Sequence, residues 1–459
     1  SRDGGYLARF VAVVLLVVAS FTYVSAEINA SGTIAARALL IPFEVGVWFG
    51  LLGILLCSML GGMRAVTWTQ VAQYIVLIIA YLAPVIWMSN VQNFGIIPHF
   101  TYGDAVARIA ELETLLGVGT AAGGDAPIGG VRILTNLHND PGTGLASWKF
   151  VTLAFCMMAG TASLPHILMR YFTTPSVRDA RKSVSWSLLF IFLLYFTAPA
   201  LATLTKLQVL DPELATGIIG KSIEDVQALS WVQNWTAVNF LAIADFNSDG
   251  ILQINEFFMR PDIVVLATPE IAGLPYVISG LVAAGGMAAA MSTADGLLLA
   301  IANALSHDLY YKIIDPNADT KKRLIVARVL LILIGAAAAF VASLRLTGIL
   351  GAVAWAFGFA ASGLFFPLVL GVWWKRANRA GAIAGMVFGF SAGTLYLYHV
   401  YFAGGTPWLG IDHLRFAMIG MPVSLVAMVA VSLMTAEPDA ETQAMVDEVR
   451  DPTGKTILG

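Results

Sequence analysis

The chain has 459 residues, of which 58% are hydrophobic and only 12% are charged, and its mean hydropathy is +0.78. An average soluble domain carries about 25% charged residues, so this composition excludes an ordinary soluble protein. The net charge of -3 argues against a nucleic-acid partner, and Cys57 and Cys156 lie in apolar runs that indicate neither a disulfide scaffold nor a cysteine-ligated metal.

Repeated apolar runs predict an all-α polytopic membrane protein, because a helix needs about 20 mainly apolar residues to cross a bilayer. We predict spans at residues 6–30, 43–62, 65–88, 147–172, 183–205, 271–305, 322–344, 348–374, 380–402 and 413–435. Lys and Arg are concentrated in alternate short connections, and the positive-inside rule then places the N-terminal end of the chain in the cytoplasm. The predicted location is a cell membrane, and a bacterial inner membrane is expected.

Two long loops, at 89–146 and 206–270, are the sizeable parts outside the predicted spans and are expected on the outer side. The first contains YGDAVARIAELETLLG, whose apolar residues recur at helical spacing and predict a surface helix. The glycine-rich stretch GVGTAAGGDAPIGG that follows predicts a linker. The tail 436–459 is polar and acidic, and we expect it to be cytoplasmic and disordered.

The second loop contains twelve residues, 245–256, that fit the EF-hand calcium loop at every diagnostic position. The predicted ligands are oxygens of Asp245, Asn247, Asp249, the Ile251 carbonyl, Gln253 and bidentate Glu256. The flanking stretches WTAVNFLAIA and EFFMR predict an entering and an exiting helix. A lone outer loop is expected to bind Ca2+ weakly, with a dissociation constant on the order of 10⁻⁴ to 10⁻³ M, as a structural clip. A polar turn with accidental carboxylates is the alternative.

The sixth predicted span carries two adjacent hydroxyls and a carboxylate in the sequence AAAMSTADG. A carboxylate at membrane depth is costly and normally marks an ion or proton pathway, which draws attention to Asp295. The hydroxyl oxygens of Ser292 and Thr293 suit Na+ when carbonyls of an unwound neighbouring helix complete the site. Hydroxyls that bond back to the preceding turn of their own helix are the alternative.

The fourth predicted span is interrupted by small residues and a proline, which is the composition of a discontinuous helix. These residues are the predicted solute contacts: Gly160, Thr161, Ala162, Ser163 and Pro165. A simple proline kink is the alternative. His166 follows directly, as a proton carrier or as a histidine hydrogen-bonded within the core.

With these motifs the chain resembles the sodium:solute symporter family, most closely its cation/acetate symporter branch. The matching segments are GGMRAVTWTQVAQ, GTASLPHILMRYFTTPSVRDARKS, AAAMSTADGLLLAIANALSHDLY and GLFFPLVLGVWWKRANRAGAIAG. The resemblance covers nearly the whole chain as a single transmembrane domain, 1–459. It implies the LeuT-type fold, in which five helices and their inverted repeat surround a midplane site formed by two broken helices.

Placed on that fold, about ten transmembrane helices are present. They correspond to core helices 3 to 10 plus two trailing helices, and the first core helices are expected to be missing. The first residue is Ser1 rather than Met, which agrees with a chain that begins within a longer protein. The resemblance also implies a sodium site to which the eighth core helix contributes a carbonyl and two hydroxyls, at Ala289, Ser292 and Thr293.

A second sodium site in some members of the family uses an acid on core helix five and hydroxyls on helix eight. Here Gln70 stands at the position of that acid, while Asp295 stands on helix eight at the position of a hydroxyl. Our hypothesis is that Asp295 and Gln70 together hold a second cation or a proton. Pairing of Asp295 with a neighbouring residue is the alternative.

The function expected from this resemblance is sodium-coupled transport of a small organic solute across the lipid bilayer. A half-helix N-terminus can meet a carboxylate, so a monocarboxylate such as acetate is the predicted solute. The alternatives are proline, a sugar or pantothenate as the solute, or a transporter-like sensory membrane domain. An enzyme is not expected, because His166, His307 and the two cysteines lack partners in any catalytic motif.

Overall fold

The computed structural model describes residues 5–60, 63–118, 134, 138, 144–171 and 174–450. In these ranges, eight helices are long and apolar enough to cross a membrane, and Phe43–Met59 forms a shorter apolar helix. Each of the ten predicted spans coincides with helical structure, so the prediction of an all-α polytopic protein is confirmed.

The first part of the chain, within the described ranges, forms seven helices: α1 Gly5–Leu39, α2 Phe43–Leu60, α3 Met63–Val91, α4 Pro98–Leu115, α5 Gly144–Ser163, the short α6 Pro165–Tyr171 and α7 Val177–Leu210. A loop region follows, with α8 Ile223–Ala228, α9 Ser230–Ala237, β1 Leu241–Ile243, β2 Phe257–Met259 and α10 Val264–Ile271. The remaining helices are α11 Tyr276–Asn303, α12 Thr320–Ser343, α13 Ile349–Ala360, α14 Phe366–Trp373, α15 Arg379–Leu397, α16 Ala417–Met434 and α17 Ala440–Arg450. Turns of π-helix, Ala304–Ile314, Ala361–Phe365 and Tyr398–Phe402, extend α11, join α13 to α14 and extend α15.

Helix α1 is the centre of the bundle, because it packs against α2, α11, α12 and α13. Helix α11 packs in turn along α3. At that contact a Cβ on Gly285 would collide with the Cβ of Ala80, so only glycine lets the two helices approach so closely. This approach sets the position of α11, which carries the predicted sodium ligands, against α3, which carries Gln70.

The first long loop is confirmed as a surface helix, α4, and two ion pairs fasten it to the end of α7. Glu113 is only 3% exposed and lies 2.5 Å from Lys206, and Arg108 lies 2.9 Å from Asp211. The predicted linker that follows lies mostly outside the described residues. Helix α7 continues to Leu210, so the first residues of the predicted second loop, 206–210, are helical.

The predicted helices on either side of the calcium-loop motif are wrong. The entering helix α9 ends at Ala237, and Asn239 then adopts a left-handed backbone with φ +59°. Strands β1 and β2 pair antiparallel instead, with Ala242 opposite Phe258, and the motif connects them. The aromatic side chains of β2 are completely buried, so tertiary packing outweighs the helical preference of these segments.

The prediction of a disordered tail is wrong for residues 440–450, which form α17. Asp439 accepts a hydrogen bond from the Thr442 amide at 2.9 Å and so caps the helix, and Lys375 pairs with Asp447 at 2.7 Å. The ion pair of Lys375 holds the helix near the end of α14, against which α17 packs.

Candidate solute and cation site

The fourth predicted span is interrupted at one residue, which fits both the discontinuous helix and the simple proline kink expected from the sequence. Helix α5 ends at Ser163, α6 begins at Pro165, and Leu164 between them is not helical. Proline has no amide hydrogen and disfavours a helical conformation in the residue before it, which accounts for the break. The break directs α6 toward α11.

A cavity of about 370 Å³ lies between α3, α6 and α11 and is called the central cavity below. Its lining residues are Gln70, Gln73, Tyr74, Leu77, His166, Arg170, Ala288, Ala289, Ser292 and Thr293. The structure therefore brings the three predicted sodium ligands together with Gln70. It also places His166 and Arg170, which follow the break, in the same cavity.

The hydroxyls of α11 are placed so that their oxygens can face a cation. Ser292 Oγ donates to the Ala289 carbonyl at 2.8 Å, which is the back-bonding arrangement expected of a helical serine. A hydroxyl that donates its hydrogen keeps its oxygen lone pairs, so Ser292 and Thr293 can still serve as cation ligands. The Ala289 carbonyl, by contrast, already accepts one hydrogen bond.

The side-chain amides of Gln70 and Gln73 on α3 differ in whether they already form a hydrogen bond. Gln70 Nε2 donates to the Ser292 carbonyl at 2.6 Å and joins α3 to α11 at the edge of the cavity. Gln73 Oε1 is buried and accepts no hydrogen bond from any described residue. A buried acceptor without a partner is costly, so Gln73 is available to a cation or to a donor on a solute.

Arg170 brings a positive charge to the cavity. A Cβ built on Gly296 would lie 3.2 Å from Arg170 Nη2 and 3.9 Å from Gln70 Nε2, so the guanidinium reaches the surface of α11 beside Gln70. His166 stacks edge-on against Tyr23, with 5.8 Å between ring centroids, and its buried Nδ1 has no partner among the described residues.

Asp295 does not line the central cavity. It is completely buried, and its Oδ1 accepts a hydrogen bond from Ser58 Oγ of α2 at 2.6 Å. Its Oδ2 is buried without a hydrogen-bond partner among the described residues. The structure thus places Asp295 toward α2 and Gln70 toward the cavity, on different sides of α11.

The predicted solute contacts of α5 also lie outside the cavity lining. Thr161 Oγ1 donates to the Met157 carbonyl at 2.8 Å, and Ser163 Oγ donates to the Ala159 carbonyl at 2.7 Å. Gly160 packs against α13, where an added Cβ would lie 2.6 Å from the Cβ of Phe357. The break itself, rather than these side chains, positions the residues that line the cavity.

Sequence reasoning missed Arg170 and Gln73 as cavity residues. Arg170 lies one turn after His166, which puts both residues on the same face of α6. Gln73 lies three residues after Gln70, at the spacing that shares a helix face, and this was the signal available in the sequence.

The calcium-loop motif forms a turn as in an EF-hand, but its carboxylates accept hydrogen bonds from backbone amides of the same loop. Asp245 accepts from the amides of Ser248 and Gly250, at 2.7 and 3.1 Å, and Glu256 accepts from those of Phe246 and Gln253, each at 3.0 Å. The Ile251 amide bonds to Asp249 and lowers the pKa of that carboxyl. Among the described residues no group of three or more His, Cys, Asp and Glu is arranged to hold a metal, so calcium binding stays a prediction.

Comparison with known proteins gives a consistent result. The sequence pattern of the Sodium:solute symporter family matches residues 2–222 and 261–389. The unmatched residues 223–260 contain α8, α9, both strands and the calcium-loop motif.

Individual relatives cover most of the chain. An uncharacterized symporter of Cupriavidus necator is 37% identical over 95% of this chain and 75% of its own length. A monocarboxylic acid transporter of Corynebacterium glutamicum is 23% identical over 88% of this chain and 66% of its own, and the sodium/proline symporter of Escherichia coli is 25% identical over 96% and 72%. Among solved structures, a substrate-bound, outward-open Na+-coupled sialic acid symporter superposes with a TM-score of 0.58 at 16% identity, covering 95% of this chain and 76% of that one.

Proposed function

The chain belongs to the sodium:solute symporter family, a family of secondary transporters rather than enzymes, and we propose that it couples the entry of Na+ to that of a small organic anion, a monocarboxylate such as acetate. The observation that carries this proposal is the central cavity, which combines cation-ligating oxygens on α11 with the guanidinium of Arg170 on α6. The structure supports a membrane protein in which this cavity lies among the spanning helices.

The cation position is proposed at Ser292 and Thr293, with the Ala289 carbonyl. Na+ is bound in such sites by hydroxyl and carbonyl oxygens, and α11 offers these groups at consecutive turns of one helix face. Gln73 Oε1, which has no other partner in the described part of the chain, adds a further oxygen on the facing wall. Together these groups can replace part of the hydration shell of the ion.

The anion position is proposed at Arg170. A guanidinium gives a carboxylate two charge-assisted hydrogen bonds in a fixed planar geometry, and an enclosed site makes each of them stronger than in water. This arrangement also accounts for coupling. A bound carboxylate relieves the repulsion between Na+ and Arg170, so each solute increases the affinity for the other, with a typical coupling of about 1 to 3 kcal/mol.

Four finer predictions remain proposals. The solute is proposed to contact backbone groups freed by the break in the segment 160–165. Asp295, held by Ser58, is proposed to carry a second cation or a proton, with Gln70 acting from the other side of α11 through its bond to the Ser292 carbonyl. The loop 245–256 is proposed to bind Ca2+ as a weak structural clip, and the N-terminal end of the chain is proposed to be cytoplasmic.

The anion position is tested by binding of labelled acetate to the purified protein in Na+ and in choline medium. We expect Na+-dependent binding that weakens about tenfold or more in Arg170→Gln, because one charge-assisted contact is lost, and less in Arg170→Lys. Arg328→Gln, at an exposed position on α12, is the matched control for removal of one charge. Equal acetate binding by Arg170→Gln and Arg328→Gln would remove Arg170 from the site.

The solute class is tested by competition in the same assay. Relatives of this chain include transporters named for monocarboxylic acids and for proline, and both solutes carry a carboxylate that fits Arg170. Propionate and other monocarboxylates are expected to displace acetate, and proline is expected to displace it poorly. Displacement of acetate by proline alone would identify proline rather than a monocarboxylate as the solute, and the proposed cation position would be unaffected.

A further inference from the structure

A second cavity, of about 200 Å³, lies between α1, α12, α13 and α15 and shares no lining residue with the central cavity. It is called the upper cavity below. Its wall is mainly apolar and includes Phe21, Trp355 and Phe402, while Ser25 of α1 adds a hydroxyl. Arg345, shortly after the end of α12, is the single charged residue among the described residues that line it.

The guanidinium of Arg345 is held by two aromatic rings. Its Cζ lies 3.8 Å from the ring centroid of Phe43 and 5.0 Å from that of Phe240. Stacking of this kind occupies the faces of the guanidinium and leaves its N–H groups, which lie in the plane, to bind an acceptor. Phe240 belongs to the segment 223–260 that the family pattern does not match.

One N–H group of Arg345 has no hydrogen-bond partner within the described part of the chain. This is its buried Nε, while the carboxylates of Glu44 and Asp262 interact with the guanidinium electrostatically. Burial lowers the pKa of Arg345 to about 10, with the neighbouring Arg260 adding to the effect, so the side chain stays positive at neutral pH. A buried, charged N–H donor without an acceptor is costly to keep.

The backbone of Arg345 adopts a left-handed conformation at the end of α12. Its φ is +47°, and its amide donates to the Ala342 carbonyl at 3.1 Å, which is the left-handed termination of α12. Glycine, or asparagine, normally takes this position because other residues are strained there. The stacking of the Arg345 side chain on Phe43 and Phe240 accounts for an arginine at this position.

We propose that the upper cavity binds a monocarboxylate with an apolar body, whose carboxylate pairs with Arg345 and whose body packs against Trp355 and Phe402. One positive charge in an otherwise neutral lining matches one negative charge. The described lining offers no second cation for another anionic group and no carboxylate for the ammonium of an amino acid, since its other polar residues, Thr22, Ser25, Asn29 and Thr347, are neutral. The proposal stands apart from the proposed function of the central cavity, because the two cavities have no residue in common.

Benzoate is the probe, measured by equilibrium dialysis of the labelled compound against the purified protein in Na+-free choline medium. We expect saturable binding that Arg345→Gln weakens about tenfold or more, because a charge-assisted contact is lost. Arg328→Gln is the matched control and should bind as the unaltered protein does. Benzyl alcohol, which has the same ring without the charge, should not compete.

A second variant separates a loss of benzoate binding from a loss of folding in Arg345→Gln. Ala352 lines the upper cavity, and Ala352→Phe is designed to fill it while leaving Arg345 and its two stacked rings in place. Benzoate binding should be lost in this variant and retained in Arg170→Gln, which alters only the central cavity. The proposal is overturned if the folded protein binds no benzoate, if Arg345→Gln and Ala352→Phe both bind it normally, or if Arg170→Gln alone loses it.

Discussion

Gly160→Ala is the change that most directly probes how the helix break positions the central cavity. An added Cβ would lie 2.6 Å from the Phe357 Cβ, 2.7 Å from its carbonyl oxygen and 2.9 Å from its Cα. Carbon atoms in contact normally lie about 3.5 to 4.0 Å apart, so α5 and α13 must separate by about 1 Å. Two of these three atoms belong to the backbone of α13, so a change of side-chain rotamer cannot relieve the clash.

The expected cost of Gly160→Ala is about 1 to 3 kcal/mol of folding free energy from overpacking. Replacement of a helical glycine by alanine also contributes a gain of up to about 1 kcal/mol from helix propensity, and this gain must be separated from the clash. Gly371→Ala is the matched control, because Gly371 lies in α14 with nothing within 4 Å of the added Cβ. The difference between the two variants isolates the clash.

The assay is heating of each purified variant followed by measurement of the fraction that remains monodisperse, together with Na+-dependent acetate binding. Gly160→Ala should lose folded protein at a lower temperature than Gly371→Ala. It should also bind acetate more weakly, because a shift of α5 carries His166 and Arg170 away from α11. Equal stability and equal acetate binding of the two variants would contradict the close packing of α5 on α13 at Gly160.

Three further changes test individual residues of the account. Gln70→Leu removes the 2.6 Å bond to the Ser292 carbonyl and should lower the apparent Na+ affinity several-fold, by about 1 kcal/mol, in Na+ activation of acetate binding; an unchanged affinity would contradict a role for this contact. Asp295→Asn should reduce the steepness of the Na+ activation curve if the buried carboxyl carries a second cation, whereas an unchanged steepness and affinity would exclude it from coupling. Glu256→Gln should abolish the heat of Ca2+ binding in calorimetry. Identical heats in the two proteins would contradict calcium binding by the loop 245–256.

The sequence predicts the backbone of the site well because the signals are local. Pro165 and the small residues before it determine the break at Leu164 without reference to the rest of the chain. The spacing of Ala289, Ser292 and Thr293 places them on one face of any helix that contains them. Both features were found where they were expected.

The partners across the cavity are not predictable in the same way, because they depend on how helices pack. Arg170 lines the cavity because α6 is directed toward α11, and Asp295 faces Ser58 because α2 covers the other side of α11. The hairpin around the calcium-loop motif was missed for a related reason. Burial of Phe257 and Phe258 in the loop region decides its conformation, and that burial is a tertiary effect.

The most direct test of the central claim is uptake of labelled acetate into proteoliposomes, with and without an inward Na+ gradient, by the protein and by Ser292→Ala/Thr293→Ala. The account predicts gradient-driven uptake that the double substitution abolishes while the protein remains folded. Uptake that is independent of the Na+ gradient, or that the double substitution leaves unchanged, would contradict it.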